Sequence, residues 1–213
     1  MKERKFESLA DRNVWKKALV HLKKRDKMLG RVISRFGSLE SKSFWGPTNP
    51  YEAIVESFIY QQISGSAADA IVKKFKGLYG GRFPKPKEFL ATSEKKVRSA
   101  GISPQKYSYI KDLCERLTKN ELDLNSLDEL PDEEIIAILD DIKGIGRWTA
   151  EMFLMFSLRR VNVFPMDDLG IQKGVRKVYG LTRVPSKDKM HSLSNRWDPY
   201  KSIASLYLWR SQD

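Results

Sequence analysis

The stretch 140–150, DDIKGIGRWTA, holds the residues whose types and spacing say most about chemistry. A helical run through Glu134, Ile135, Ile138 and Leu139, capped by Asp132 or a neighbour, stops at Ile142. Lys143, Gly144, Ile145 and Gly146 turn the chain, and helical spacing resumes at Arg147. Two glycines two apart let a backbone bend tightly and come close to another surface. The N–H groups that open the second helix then make an anion site suited to a DNA phosphate, which positions a partner without reading its sequence. Taken alone, the string reads equally well as an ordinary tight turn between packed helices.

Other chemistries have little to stand on. Cys114 is the single cysteine, and only His21 and His191 accompany it, so a disulfide framework, a cysteine-ligated zinc or iron–sulfur centre and a histidine-rich metal site are not expected. Cys114 lies in the amphipathic KDLCERL and reads as a small core residue. The formal charge of +12 and sequence pI of about 9.7 suit a polyanionic partner through counterion release, although basic proteins are also common without one. The cluster Lys16, Lys17, Lys23, Lys24, Arg25 and Lys27 reads as a solvated helix face. With no run of about 18 apolar residues and a charged start (MKERKFESLADRNVWKK), neither a membrane span nor a signal peptide is expected, and the chain reads as soluble and intracellular.

These residues must be positioned by helices. Apolar residues recur at helical spacing, as in Ile54, Val55, Phe58, Ile59 and Ile71, Val72, Phe75, Leu78, so the fold class is all-α. Glycine and proline breaks at 46–50, 80–86, 101–104, 131, 143–146, 165, 180–185 and 199 imply nine or ten helices with short connectors. At 213 residues and 41% hydrophobic content, the chain can bury one sizeable core or two small lobes sharing a cleft. The expected division is a central lobe, 51–160, containing the hairpin, and a second lobe from 1–50 plus 161–213. A cleft would then lie between the hairpin region and 164–169.

The longer string changes the reading of the hairpin. LDDIKGIGRWTA at 139–150 is followed, after an apolar helix, by VFPMDDLGIQKGVRKVYGL. Upstream stand YEAIVESFIYQQIS with Ala67 and Ala68, and GISPQKYSYIKDL; near the C-terminus stands WDPYKSIASLYLWR. In order and spacing, across about 51–210, this resembles the helix-hairpin-helix DNA glycosylase superfamily. The branch is the 3-methyladenine DNA glycosylase II (AlkA-like) alkyl-purine branch, in a compact form without the N-terminal β-rich domain.

The resemblance implies a two-lobed helix-hairpin-helix glycosylase fold and roles for particular residues. Asp168 matches the aspartate that promotes loss of the base, with Asp167 as rival; the pattern continuing Asp-Leu-Gly favours Asp168. A carboxylate suits the reaction, because cleaving an N-glycosidic bond develops oxocarbenium-like charge on the sugar. Trp148 falls where strand-cutting members carry a nucleophilic lysine, so the implied enzyme is a monofunctional hydrolase without lyase activity. Trp148 and Trp209 match aromatics lining the base pocket, where an electron-rich ring suits a cationic alkylated base, and Met152 replaces a further aromatic.

DNA contacts are implied at two wedge loops, one through Gln62, Ile63, Ser64 and Gly65, the other through Ile102 and Ser103. Further contacts are implied at Lys143, Gly144, Ile145, Gly146 and Thr149. The first wedge, with Ser64-Gly65-Ser66, is smaller than is usual. No organic cofactor is implied; a sodium or potassium ion on the backbone carbonyls of Asp140, Ile142 and Ile145 is. The implied function is base-excision repair: release of alkylated purines from duplex DNA to leave an abasic site, by a monomer, in the nucleus or a prokaryotic cytoplasm. The alternative is a non-catalytic protein that recognises damaged or abasic DNA on the same scaffold, favoured by the small wedge and by Met152.

Overall fold

The computed structural model describes residues 6–40 and 49–213, and among them the chain is helical, with one isolated bridge between Ser8 and Arg160 and no β-strand. The helices are α1 (Arg12–Arg25), α2 (Lys27–Phe36), α3 (Pro50–Tyr60), α4 (Gly65–Gly77), α5 (Pro86–Leu90), α6 (Glu94–Arg98) and α7 (Pro104–Thr118). They continue as α8 (Asp132–Asp140), α9 (Arg147–Phe156), α10 (Leu169–Val178), α11 (Lys187–Trp197) and α12 (Lys201–Arg210). The described residues thus form twelve α-helices, besides a three-residue 3-10 turn at Leu127–Glu129, not nine or ten. The extra ones are α5 and α6, each of five residues. A single turn and a half is too short to show a 3.6-residue period. The break expected at 46–50 lies outside the described residues as far as 48; α3 begins at Pro50, behind Asn49, whose side chain accepts from Glu52 N at 3.2 Å.

The chain divides into two compact units between Trp45 and Gly46 and between Ala150 and Glu151. The second division falls inside α9, ten residues before the position expected from sequence, because Phe156 in its last turn packs on the core of the terminal unit. That core is built from α1, α2, α10, α11 and α12 around Trp15, Leu22, Leu29, Trp197 and Tyr207, all at most 1% exposed. Asp26, the single residue between α1 and α2, is buried and fully engaged. Its Oδ1 accepts from Met28 N and Leu29 N, each at 3.0 Å, and its Oδ2 accepts from Trp197 Nε1 at 3.1 Å and from the Tyr179 hydroxyl. Burial, then the Asp26 carboxylate, pushes the Tyr179 phenol up.

The central unit packs α3, α4 and α7 around Phe58, Phe75 and Phe89, with the last two rings edge-on at 6.4 Å. Cys114 on α7 is fully buried, 3.5 Å from the Tyr51 hydroxyl, and burial pushes its thiol up to about 12. The folded protein is therefore expected to resist iodoacetamide at about pH 8 and to be labelled at one site once unfolded; stoichiometric labelling of the native protein by mass spectrometry would contradict this placement. Among the described residues no helix is long and apolar enough to cross a membrane, and no group of His, Cys, Asp and Glu is arranged to hold a metal ion.

Candidate active site and nucleic-acid interface

In the central unit, α8 ends at Asp140 and α9 starts at Arg147, with the turn between them pinned from beneath by Ile142 and Ile145, 1% and 6% exposed. Ile145 N donates to Ile142 O at 3.0 Å. Ile145 therefore offers its backbone, not its side chain, to any partner. Gly144 has φ +87°, and a Cβ there would lie 2.2 Å from the ring of Tyr109, so α7 packs directly on the hairpin backbone. Gly146 differs: a Cβ there would meet nothing within 4 Å. The first glycine is needed by the protein's own packing, and the second leaves open the approach to the positive end of α9.

The hairpin is braced from two sides. Gln61 Nε2 donates to Gly144 O at 2.9 Å, which ties the end of α3 to the turn. Lys106 Nζ donates to Ile59 O and Gln61 O at 2.7 and 2.9 Å, capping the carbonyl end of α3; partial burial lowers its pKa. Arg116 donates to Asp141 Oδ2 at 2.6 Å, to Asp141 O at 2.9 Å and to Asp112 Oδ2 at 3.1 Å. Asp112 Oδ2 in turn accepts from Lys143 N at 3.4 Å. Arg147 is engaged with Glu133 through both terminal nitrogens, at 3.0 and 2.6 Å, and holds that carboxyl below its ordinary range. Lys143 is exposed and makes no ion pair among the described residues.

The two loops read as wedges are not alike. Gln62, Ile63, Ser64 and Gly65 are all exposed, Ile63 at 38% and Gln62 with φ +59°, while Ser64 caps α4 by accepting from Ala67 N at 3.4 Å. Ile102 is 2% exposed, so its side chain is turned inward, contrary to the expectation that it faces DNA. It precedes Ser103, the N-cap of α7, a position from which an apolar residue turns back onto the first turn of its helix. Ser103 itself and Pro104 are exposed. Trp148 is 47% exposed, a high value for a tryptophan, while Thr149 and Met152 are half-buried.

In the terminal unit, Asp168 is the N-cap of α10. Its Oδ1 accepts from Ile171 N at 2.7 Å and from the Trp209 indole at 2.8 Å. Trp209 is half-buried on α12 and stacks on Phe156, ring centroids 6.0 Å apart. Asp167, by contrast, is 67% exposed and pairs with Lys187 at 3.7 Å. The aspartate held in a fixed orientation is thus Asp168. Beside it Leu169 is 69% exposed, an apolar side chain that periodicity alone does not mark. Two glycines one turn apart set the approach of α12 to α10. A Cβ on Gly174 would lie 2.4 Å from Leu208 O; one on Gly170 would lie 2.8 Å from the Trp209 indole and 2.9 Å from Asp168 Oδ1. That spacing is visible in the sequence as GIQKG, although its purpose is not.

Gly170→Ala is accordingly expected to push the indole off the carboxylate while the helices stay formed. Any reaction that uses the Asp168 carboxylate should slow about tenfold, the effect of losing one hydrogen bond to a charged group, with far-ultraviolet circular dichroism unchanged. An unaltered rate would show that the Trp209 hydrogen bond is dispensable.

A helix-hairpin-helix turn braced by its own unit and an aspartate capping the helix about twenty residues later define a class of DNA repair protein. The chain matches the model of the HhH-GPD superfamily base excision DNA repair proteins over residues 55–199, and it belongs to that family. Among individual relatives, it is 34% identical over 197 residues to DNA-3-methyladenine glycosylase 1 of Schizosaccharomyces pombe, covering 92% of this chain and 86% of that protein. A solved structure of the 3-methyladenine DNA glycosylase of that yeast in complex with abasic DNA superimposes with a TM-score of 0.77 at 33% identity, covering 91% of this chain and 95% of the other. The DNA-3-methyladenine glycosidase of Bacillus halodurans superimposes with a TM-score of 0.81 at 35% identity, covering 96% and 90%.

Proposed function

We propose that this protein is a monofunctional alkyl-base DNA glycosylase, which hydrolyses the N-glycosidic bond of alkylated purines of the 3-methyladenine and 7-methylguanine type and leaves an abasic site. The observation that carries the reading is Asp168, a carboxylate fixed by Ile171 N and the Trp209 indole on one oxygen. A fixed negative charge stabilises the oxocarbenium-like sugar that forms as the C1′–N bond lengthens. Water adds to C1′ and gives up one proton to the solvent, and the base departs with the bonding pair, which neutralises its positive charge. An N-alkylated purine already carries positive charge, so its departure needs little acid assistance. Trp148 has no amine to form a Schiff base with the sugar, which makes hydrolysis without strand cleavage the expected outcome.

The hairpin supplies the grip. With Gly146 open and Lys143 exposed and without an ion pair among the described residues, a phosphate of duplex DNA is the anion that suits the positive end of α9. The exposed ring of Trp148 and the indole of Trp209 are suited to a cationic base through stacking and cation–π attraction. A monovalent cation on the carbonyls of Asp140, Ile142 and Ile145 belongs to the same proposal. Ile142 O already accepts from Ile145 N and keeps one lone pair for an ion. We further place the working protein as a monomer beside chromosomal DNA, which in a eukaryotic cell is nuclear.

The deciding experiment incubates the protein with duplex DNA carrying methylated purines and measures free base by chromatography. Release of 3-methyladenine or 7-methylguanine with an intact strand supports the enzyme. Absence of release together with tight binding to an abasic-site duplex would establish the non-catalytic recognition protein instead.

A further inference from the structure

The surplus positive charge of the chain is not carried by the unit that holds the hairpin. Residues 46–150 hold 15 Lys and Arg against 16 Asp and Glu, while the remainder of the chain holds 24 against 11. The entire excess belongs to the terminal unit. Nine of its cations lie on α1 and α2, which contain no acidic residue. On α1, Lys16, Lys17, Lys23 and Lys24 stand three and four residues to either side of Val20, which is 70% exposed, so they ring it on one face. On α2, Lys27, Arg31 and Arg35 continue at intervals of four. The two rows meet where the helices cross, since a Cβ on Gly30 would lie 3.3 Å from Lys23 Cα.

Local stability does not account for this row. Lys23, Lys24 and Arg25 suit the carbonyl end of α1, but Lys27 sits at the first residue of α2, the end that repels cations, and Arg31 and Arg35 add like charge one turn apart. Lys16, Lys17, Lys23, Lys24, Lys27 and Arg31 are all exposed, and none forms an ion pair among the described residues. A face that concentrates cations at a cost to its own helices is matched to an external polyanion. The two lysine pairs on α1 are separated by two helical turns, about 11 Å. That is close to the width of the major groove of duplex DNA, about 12 Å, so both lips of the groove lie within reach of the row.

We propose that the exposed face of α1 and α2 is a second set of contacts for the phosphates of duplex DNA, carried by the terminal unit rather than by the hairpin and indifferent to base sequence and damage. It holds the protein on undamaged duplex through released counterions, while the near-neutral hairpin unit contributes a backbone grip that depends little on salt. The proposal rests on the DNA-binding part of the proposed function and not on the glycosidic chemistry.

The test measures binding of the full chain to undamaged duplex from about 50 to 200 mM salt, for the parent and for the combined variant K16Q, K17Q, K24Q and K27Q. Every phosphate that the variant leaves unneutralised makes the dependence of log K on log salt shallower by about 0.9, so a fall of about 2 or more in the slope is expected. The corresponding Lys→Arg variant should restore the slope. An unchanged slope would make the face merely solvated and overturn the proposal. So would an unchanged slope with loss of binding to phosphatidylserine-containing vesicles, which would assign the face to an anionic membrane. Base release from a short methylated duplex, run alongside, keeps the two readings apart: a parent protein that releases no base refutes the glycosylase and leaves the slope comparison intact.

Discussion

Asp168→Asn is expected to fold as the parent does and to release methylated purine at least about 100-fold more slowly. Asparagine is as good an N-cap as aspartate, and its amide oxygen can keep both hydrogen bonds now made by Oδ1, to Ile171 N and to the Trp209 indole. The melting temperature should stay within about 3 °C, the shift expected for about 1 kcal/mol in a chain of this length. At Oδ1, what the substitution removes is the negative charge. Removing one fixed electrostatic partner of a developing charge costs about two to three orders of magnitude in rate. The informative control is Asp167→Asn, whose carboxylate is exposed and pairs with Lys187. It should be near-neutral for release, and a reversed ranking of the two variants would move the chemistry to Asp167.

The second large effect separates the hairpin's glycines, which look equivalent in sequence. Gly144→Val forces a branched side chain into a backbone with φ +87° and into the ring of Tyr109. The strain and overpacking together should cost about 3 kcal/mol or more, a fall of about 6–12 °C in melting temperature. Gly146→Ala meets no protein atom. It should melt within a few degrees of the parent yet bind every duplex, damaged or not, about tenfold more weakly, because the methyl stands where a phosphate would approach. Calorimetry and fluorescence anisotropy on the two variants read this directly. If Gly146→Ala binds as tightly as the parent, the phosphate does not seat at that residue.

How much of this is legible in the sequence differs by feature, for physical reasons. The helices of ten or more residues announce themselves through periodicity, and the hairpin through consecutive backbone-shaping residues, because both are local. The brace on the hairpin is not legible. Gln61 and Arg116 act on residues 83 and 25 positions away, and no spacing rule links them to their targets. Ile102 misleads because a resemblance assigns its loop to DNA without saying which side chains of that loop turn outward, whereas its place before an N-cap turns it inward. Net charge is a property of the whole chain, and composition cannot reveal that the hairpin's unit carries none of the surplus. Between Asp167 and Asp168 the sequence offers only a motif; the bonds that Asp168 Oδ1 accepts from Ile171 N and the Trp209 indole hold it in one orientation, and no spacing rule links it to Trp209.

The glycine pair at 170 and 174 has a consequence for how this protein can vary. Where α10 meets α12, the spacing is fixed by one backbone resting on another, since Gly174 faces the carbonyl of Leu208 and Gly170 faces the Trp209 indole. Side-chain volume elsewhere in the terminal core can drift, as cores generally tolerate, without changing how far the indole stands from the Asp168 carboxylate. Homologous sequences should therefore exchange the apolar residues around Trp15 and Leu29 freely while these two positions admit no side chain larger than hydrogen. The site is protected from the ordinary wear of mutation by the absence of atoms.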